Sequence, residues 1–363
     1  MSAQTQVPAQ PKKSNWRGLL FTALRVIITL ALLYYLYRKV DWRQVGSALR
    51  ASNLLWLVPS AFFFCVFLLV GVWRWRILLN SRGLHFSFGY LLKVYFVAWM
   101  FNNVLPTSIG GDVARVAYTV RDKRTADAFA ATLVDRIVGF IGLFFFALVA
   151  SLILLIFYHQ NPSLGRVSGL MLNVVGFVVL VLITITIFSD TMHRIVVAIF
   201  GKVRFLNLGE RIDQLYEAVK VFRKVPGALF FSFLSSLVIQ LMLALVWYFT
   251  ALAPPVQGSG GHPMLLYYCL GIPLIGITTM LPSIGGLGIR ENGIVSFFTA
   301  SWMTGAMSEG QAAATAVLYL IVTLIYALAG FVIFQSLKQT SGSPKPVMTA
   351  AGPGTEPTSQ GGS

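Results

Sequence analysis

Charge is scarce in this chain, and the scarcity sets its class: 11% of 363 residues are Asp, Glu, Lys or Arg, against 56% hydrophobic. With a mean hydropathy of +0.75, that excludes a soluble globular domain and predicts an all-α polytopic membrane protein. Acid is scarcer than base, 12 Asp and Glu against 28 Lys and Arg, for a formal net charge of +16. The basic residues flank apolar runs instead of lining one soluble face. That excludes nucleic acid as a partner and reads as topology signal and as contact with anionic lipid headgroups. Cys65 and Cys269 lie far apart inside apolar segments, without metal-type spacing. His85, His159, His193 and His262 fall in separate connectors. No metal cluster, cofactor or nucleophile-histidine arrangement is therefore expected. No Gly-Lys-Ser/Thr loop signals a nucleotide, and no small-residue cleavage site follows the polar N-terminus, so no removable signal peptide is expected.

What the chain has in quantity is apolar runs. Residues 1–16, rich in Gln, Pro and Ser, are predicted to be a disordered cytoplasmic tail, and 338–363 a second disordered tail. Between them lie two transmembrane repeats, 17–158 and 159–337. The first holds a span at 18–37 and an interfacial helix at 41–52 with Val40, Val45 and Leu49 on one face. A span at 54–72 follows, closed by Trp73, Arg74, Trp75 and Arg76 as headgroup-level anchors. An apolar run at 89–105 and a long run at 125–158 complete that repeat. The long run exceeds one hydrocarbon core, so Asp127, Asp135 and Arg136 are expected at or near an interface, with 137–157 inside. The second repeat has a span at 170–188, a basic amphipathic stretch at 189–224 suited to an anionic leaflet, a span at 226–252, an apolar run at 264–281 and a last span at 312–335.

One motif occurs twice. Val104 to Asp112 reads V-L-P-T-S-I-G-G-D and returns as M-L-P-S-I-G-G-L-G from Met280 to Gly288. Pro106 and Pro282 remove a backbone donor and the paired glycines leave backbone bare, so neither apolar run continues as an ordinary helix. A break at membrane depth exposes polar backbone that lipid does not tolerate. Both breaks must face protein or a watery cavity, and two breaks in corresponding halves point to a transport site.

The positive-inside rule puts 112–125 and 189–224 in the cytoplasm with both termini, and 253–262 outside. The run 89–111 then starts and ends inside and is expected to be a re-entrant hairpin. Its later copy enters from the opposite face. The result is an inverted repeat with six full spans plus two broken, re-entrant segments; eight full spans is the alternative.

Backbone amides freed at Ile-Gly-Gly form an anion device beside Arg115, and a lipid phosphate is the candidate ligand. Arg290 offers a bidentate fork, and Glu291 a partner for it or for a cationic headgroup. The candidate substrate-binding residues are Asn102, Asn103, Pro106, Ser108, Gly110, Gly111, Asp112, Arg115, Asp135 and Arg136 in the first half. In the second they are Pro282, Ser283, Gly285, Gly286, Gly288, Arg290 and Glu291. A plainer reading stands beside this one: the Pro-Gly pairs are hairpin turns, and the charges are internal pairs or interfacial anchors. Asp112 and Arg115, three apart, can pair on a helix; Asp127 and Asp135, eight apart, share a face; Arg136 points away from Asp135.

With Asn102 to Asp112, Arg115, Asp135-Arg136-Ile-Val-Gly139 and Pro282 to Glu291 in hand, the chain resembles the transmembrane flippase domain of bacterial lysylphosphatidylglycerol synthases and its stand-alone YbhN-type relatives. The likeness covers about residues 18–336. It implies a bacterial inner (plasma) membrane protein that moves or handles lipid, without the soluble domain that uses aminoacyl-tRNA, and so no enzyme. The expected function is a flippase-like lipid translocase. The alternatives are a membrane-embedded transferase acting on lipid-linked phosphates and a non-catalytic subunit for a glycosyltransferase. The expected partners are membrane phospholipids, anionic ones first, together with a lipid-modifying enzyme or further copies of the chain.

Overall fold

The computed structural model describes residues 40–104, 110–120, 124–157, 220–256, 261–278, 287–300 and 306–340, with single helical positions between 27 and 38 and between 174 and 178. No strand occurs among the described residues. Most of the expected spans at 18–37 and 170–188, the basic stretch up to residue 219, the first tail and residues 341–363 of the second lie outside them, while 338–340, expected in that tail, continue the last helix.

Helix α1, Trp42–Arg50, starts where the Asp41 carboxylate accepts from the Arg43 N–H (2.9 Å) and buries Val45 and Ala48. A 3₁₀ turn at Leu54–Trp56 leads into α2, Leu57–Ser81, which outruns its expected end by nine residues. Gly83, at φ 68°, turns the chain after α2. Then come α3, Phe88–Val104; α4, Gly110–Thr119; and α5, Thr125–Phe157. In the second half α6, Pro226–Ala251, opens on a proline in its first turn, where the missing N–H costs no intrahelical bond. It is followed by α7, Leu265–Thr278; α8, Ile289–Phe298; and α9, Glu309–Thr340.

Four of these segments, 54–81, 125–154, 226–251 and 309–337, are long and apolar enough to cross a membrane. The chain is therefore a multi-pass helical membrane protein. At 1.5 Å per residue α4 and α8 reach only about 15 Å each, half a hydrocarbon core. Both halves of the repeated motif thus end a helix before its break and start a short one after it.

Each break closes a hairpin of antiparallel helices. In the first, Asn102 Oδ1 accepts from the Gly111 N–H (2.9 Å) beside the break, and the Tyr90 hydroxyl donates to the Tyr118 carbonyl (2.7 Å) at the open end. In the second, Gly293 lies against Ile275, Gly271 against Phe297, and the rings of Tyr268 and Phe298 stack at 4.5 Å. Helices α2 and α6 also run antiparallel. Ser60 Oγ meets Thr250 Oγ1 at 2.7 Å near one end, and the Arg74 guanidinium donates to Ser236 Oγ at 2.9 Å toward the other. The first hairpin opens at the C-terminal end of α2. The second opens at the C-terminal end of α6, where Tyr268 packs edge-on to Tyr248, so the two open at opposite ends of the α2–α6 pair.

The packing repeats when the halves are exchanged. Helix α3 packs on α9 and α7 on α5; α2 touches α3 and α5 as α6 touches α7 and α9; α4 touches α5 as α8 touches α9. Each hairpin therefore leans on the last helix of the other half. Small residues let helices approach closely: a Cβ on Gly330 of α9 would strike the Phe96 carbonyl of α3, and, between the spans, one on Gly142 of α5 would strike Ser236 of α6.

Candidate functional site

Between the helix ends that flank the two motif copies lies a cavity of about 200 Å³ lined by Trp99, Asn102, Asn103, Leu243, Trp247, Ile272, Ile275, Gly276, Arg290 and Tyr319. Trp99, Asn102 and Asn103 come from the last turns of α3, before the first break. Ile272, Ile275 and Gly276 come from α7, before the second, and Arg290 opens α8 just after it. Helices α6 and α9 complete the wall with Leu243, Trp247 and Tyr319. Of the candidate residues, the structure therefore brings Asn102, Asn103 and Arg290 together around one space. Pro106, Ser108, Pro282, Ser283, Gly285 and Gly286 lie outside the described residues.

The second hairpin sets its charges tightly. Gly288, at φ 80°, caps α8 in the left-handed region, where a side chain would be strained. Its N–H donates to Glu291 Oε2 (2.7 Å), while Arg290 spends both Nε (3.0 Å) and one terminal nitrogen (2.6 Å) on Glu291 Oε1. The guanidinium lies 5.0 Å from the Tyr319 ring, whose own plane stacks on Trp247 at 3.8 Å. Glu291 is 7% exposed, and pairing with a cation is what makes such burial tolerable.

The first hairpin carries a larger network. Asp135 is held by Arg74 on one oxygen (2.7 Å) and Arg115 on the other (2.9 Å); Asp112 is held by Arg136 (2.7 Å) and reaches Arg115 at 3.5 Å. Three guanidiniums thus share two carboxylates. Arg115 lies over the rings of Trp75 (4.3 Å) and Tyr95 (5.1 Å), a stacked arrangement that suits a guanidinium shielded from water. Arg115 and Arg290 occupy the same place in the two motif copies, four residues after the second glycine, and both lie over aromatic rings. They differ in company: Arg115 faces two carboxylates away from the cavity, whereas Arg290 has one and lines it.

The network corrects two expectations. Asp135, expected near an interface, is 1% exposed in the bundle, because its charge has two internal partners. Arg74 and Trp75, read as headgroup anchors, turn inward at 8% and 0% exposure, while Trp73 stays outside at 45%. The common face of Asp127 and Asp135 is observed, and its reason is on α2. Arg82 and Arg74, also eight apart, pair with them in antiparallel register. Arg136 does diverge from Asp135, toward Asp112. Asn102 caps α4 through Gly111 and leaves no room for a Cβ there. Sequence reasoning missed Arg74, Ser236 and the aromatic wall of Trp99, Trp247 and Tyr319; only the matching eight-residue spacing of Arg74 and Arg82 signalled the first.

Two broken hairpins with buried charge pairs, set head to head in an all-helical bundle, define a membrane protein built around an internal polar site. The chain belongs to the lysylphosphatidylglycerol synthase TM region family, which it matches over residues 22–330. A UPF0104 membrane protein of Methanothermobacter thermautotrophicus (strain Delta H) is 23% identical over 321 residues, covering 80% of this chain and 85% of the relative.

Proposed function

We propose that the protein is a lipid translocase, not an enzyme, in which an inverted repeat of six full spans and two re-entrant hairpins passes a phospholipid headgroup between leaflets. The observation that carries the reading is one cavity lined by helix ends of both hairpins, Asn102 and Asn103 from the first and Gly276 and Arg290 from the second. A site reached from opposite ends by two half-crossing hairpins suits alternating access around a fixed point. The exchange symmetry of the packing and the opposite openings of the hairpins support the inverted arrangement. Arg290 supplies the phosphate contact, because its second terminal nitrogen has no partner among the described residues, whereas Arg115 is held by two carboxylates and acts as a positioning residue. Arg136, Asp112 and Asp135 fix the first hairpin on α5 in the same way.

Purified protein in liposomes carrying a labelled phospholipid in one leaflet tests this reading. Protein-dependent redistribution without any new lipid species is the expected result. A new lipid product would assign a transferase instead, and neither change would remove both readings.

A further inference from the structure

We infer that Glu291 is a proton site: it takes up one proton with each anionic headgroup the cavity receives, so that the pH difference across the membrane drives lipid movement. This rests on the translocase reading and extends it to the source of energy. The Arg290 and Glu291 side chains are 13% and 9% exposed and bonded at 2.6 Å, so together they bring no net charge into the bundle. Among the described residues that line the cavity, Arg290 is the one that is charged. A phosphodiester docked on its remaining terminal nitrogen adds a negative charge and no positive one. One guanidinium then faces two anions away from water, and an uncompensated buried charge costs far more than neutralising a group that can accept a proton.

No second cation among the described residues offsets that charge. Helix α7 carries no charged residue, and its Tyr267, Tyr268 and Cys269 lie in the first turns, at the far end of α8, where Tyr268 stacks on Phe298. Helix α9 presents Tyr319, whose ring lies against the guanidinium, while its Glu309 and Lys338 lie near its two ends. Across the cavity Asn102 and Asn103 are uncharged, and Arg115 is already held by Asp112 and Asp135. The positive end of α8 is occupied too, since the Gly288 N–H donates to Glu291 Oε2. The bonding lets Glu291 change state in place. Oε2 keeps the Gly288 N–H, while a proton on Oε1 weakens that oxygen as an acceptor, and Nε and the terminal nitrogen of Arg290 turn from it to the phosphate. Release on the other side reverses both steps: Arg290 returns to Oε1 and the proton leaves. Coupling of this kind is reciprocal, the anion favouring the proton and the proton the anion. One proton with one singly charged phosphodiester is electroneutral, so movement answers to a pH difference and not to membrane potential.

Two measurements on the whole protein test this. Glycerophosphoglycerol, a water-soluble phosphodiester whose single charge is constant near neutral pH, is titrated calorimetrically into detergent-purified protein in buffers of different ionisation heat. Uptake of about one proton per ligand is expected, with Kd falling by up to about tenfold per pH unit between about pH 8 and pH 6. Glu291→Gln, which cannot take the proton, should abolish both the uptake and the slope. Liposomes with labelled phosphatidylglycerol in one leaflet then receive either a pH difference or a potassium-diffusion potential. The wild-type protein is expected to gather the lipid in the leaflet on the alkaline side, by up to about tenfold per pH unit over protein-free vesicles, and to leave it evenly spread under the potential alone. Proton uptake on binding with no lipid movement would keep the proton site and sink the translocase reading. Lipid movement that follows the potential and ignores the pH difference, or wild-type binding without proton uptake, would overturn the inference and leave the translocase reading intact. Neither binding nor movement would sink both.

Discussion

Replacing Asp135 by leucine removes the one carboxylate that both Arg74 and Arg115 grip, at 2.7 and 2.9 Å, in a site where the three side chains are 2–9% exposed. The two guanidiniums cannot reach water without opening the α2–α5 contact, and Asp112, at 3.5 Å from Arg115, offsets only one of them. Breaking a buried pair by deleting one partner costs about 3–5 kcal/mol. For a chain of this size about 2 °C of Tm corresponds to each kcal/mol, so Asp135→Leu is expected to lower Tm by about 6–10 °C. Thermal unfolding of the purified protein in detergent, followed by tryptophan fluorescence, measures it. Asp127→Leu is the control. Its pairs, with Arg82 and with the 43%-exposed Arg124, lie nearer the surface, where an ion pair contributes about 1 kcal/mol or less. Adding Arg74→Met to Asp135→Leu removes one orphaned cation and is expected to recover part of the loss, a coupling that a double-mutant cycle reads directly. A Tm for Asp135→Leu within about 2 °C of wild type, or strict additivity in the cycle, would refute the buried network.

Other expectations follow from the same contacts. Gly330→Leu drives a side chain into the Phe96 carbonyl and Met100, and separation of α3 from α9 should lower Tm by several degrees; an unchanged Tm would deny the close approach. Single cysteines at Asn103 and Gly276, in a background lacking Cys65 and Cys269, should be joined by a short bis-maleimide, since both positions line one cavity; no cross-link in folded protein would separate the two hairpins. Arg290→Ala should abolish translocation while the protein stays folded, and retained transport would take Arg290 out of the headgroup site. His262 lies in the connector before α7, where burial holds its pKa below the ordinary 6.5. The unfolded chain then binds its proton more readily, so stability is full above that pH and declines as pH falls below it; His262→Asn should flatten the slope.

The extent of the helices was legible because apolar runs and Pro-Gly breaks are local signals. The span ending in Ala251 was placed to within one residue, since Pro226 marks its start, and α3 and α7 end before the two prolines, as the loss of a backbone donor required. The expected connector helix at 41–52 buries its predicted Val45 for the same reason: its apolar face has the helical period. What sequence could not supply was the direction of charges inside the bundle. Arg74 between two tryptophans looks like an interfacial anchor on α2 alone, and only the approach of α5, 61 positions later, makes it an internal partner. The wall of the cavity was equally hidden. Trp247 and Tyr319 sit in featureless apolar helices, and nothing in their neighbours distinguishes them from residues that meet lipid.

The crossed packing of the two hairpins also bears on synthesis. The indole of Trp99 in α3 donates to the carbonyl of Thr323 in α9, 224 positions further along, so the groove-filling partner of the first hairpin leaves the ribosome long after it. At about 5–20 residues per second, roughly 10–45 s separate the two. For that interval the face of α3 that carries Phe96, Trp99 and Phe101 lacks the helix that covers it in the folded chain, and a translocon or chaperone that shields it would decide how many chains mature.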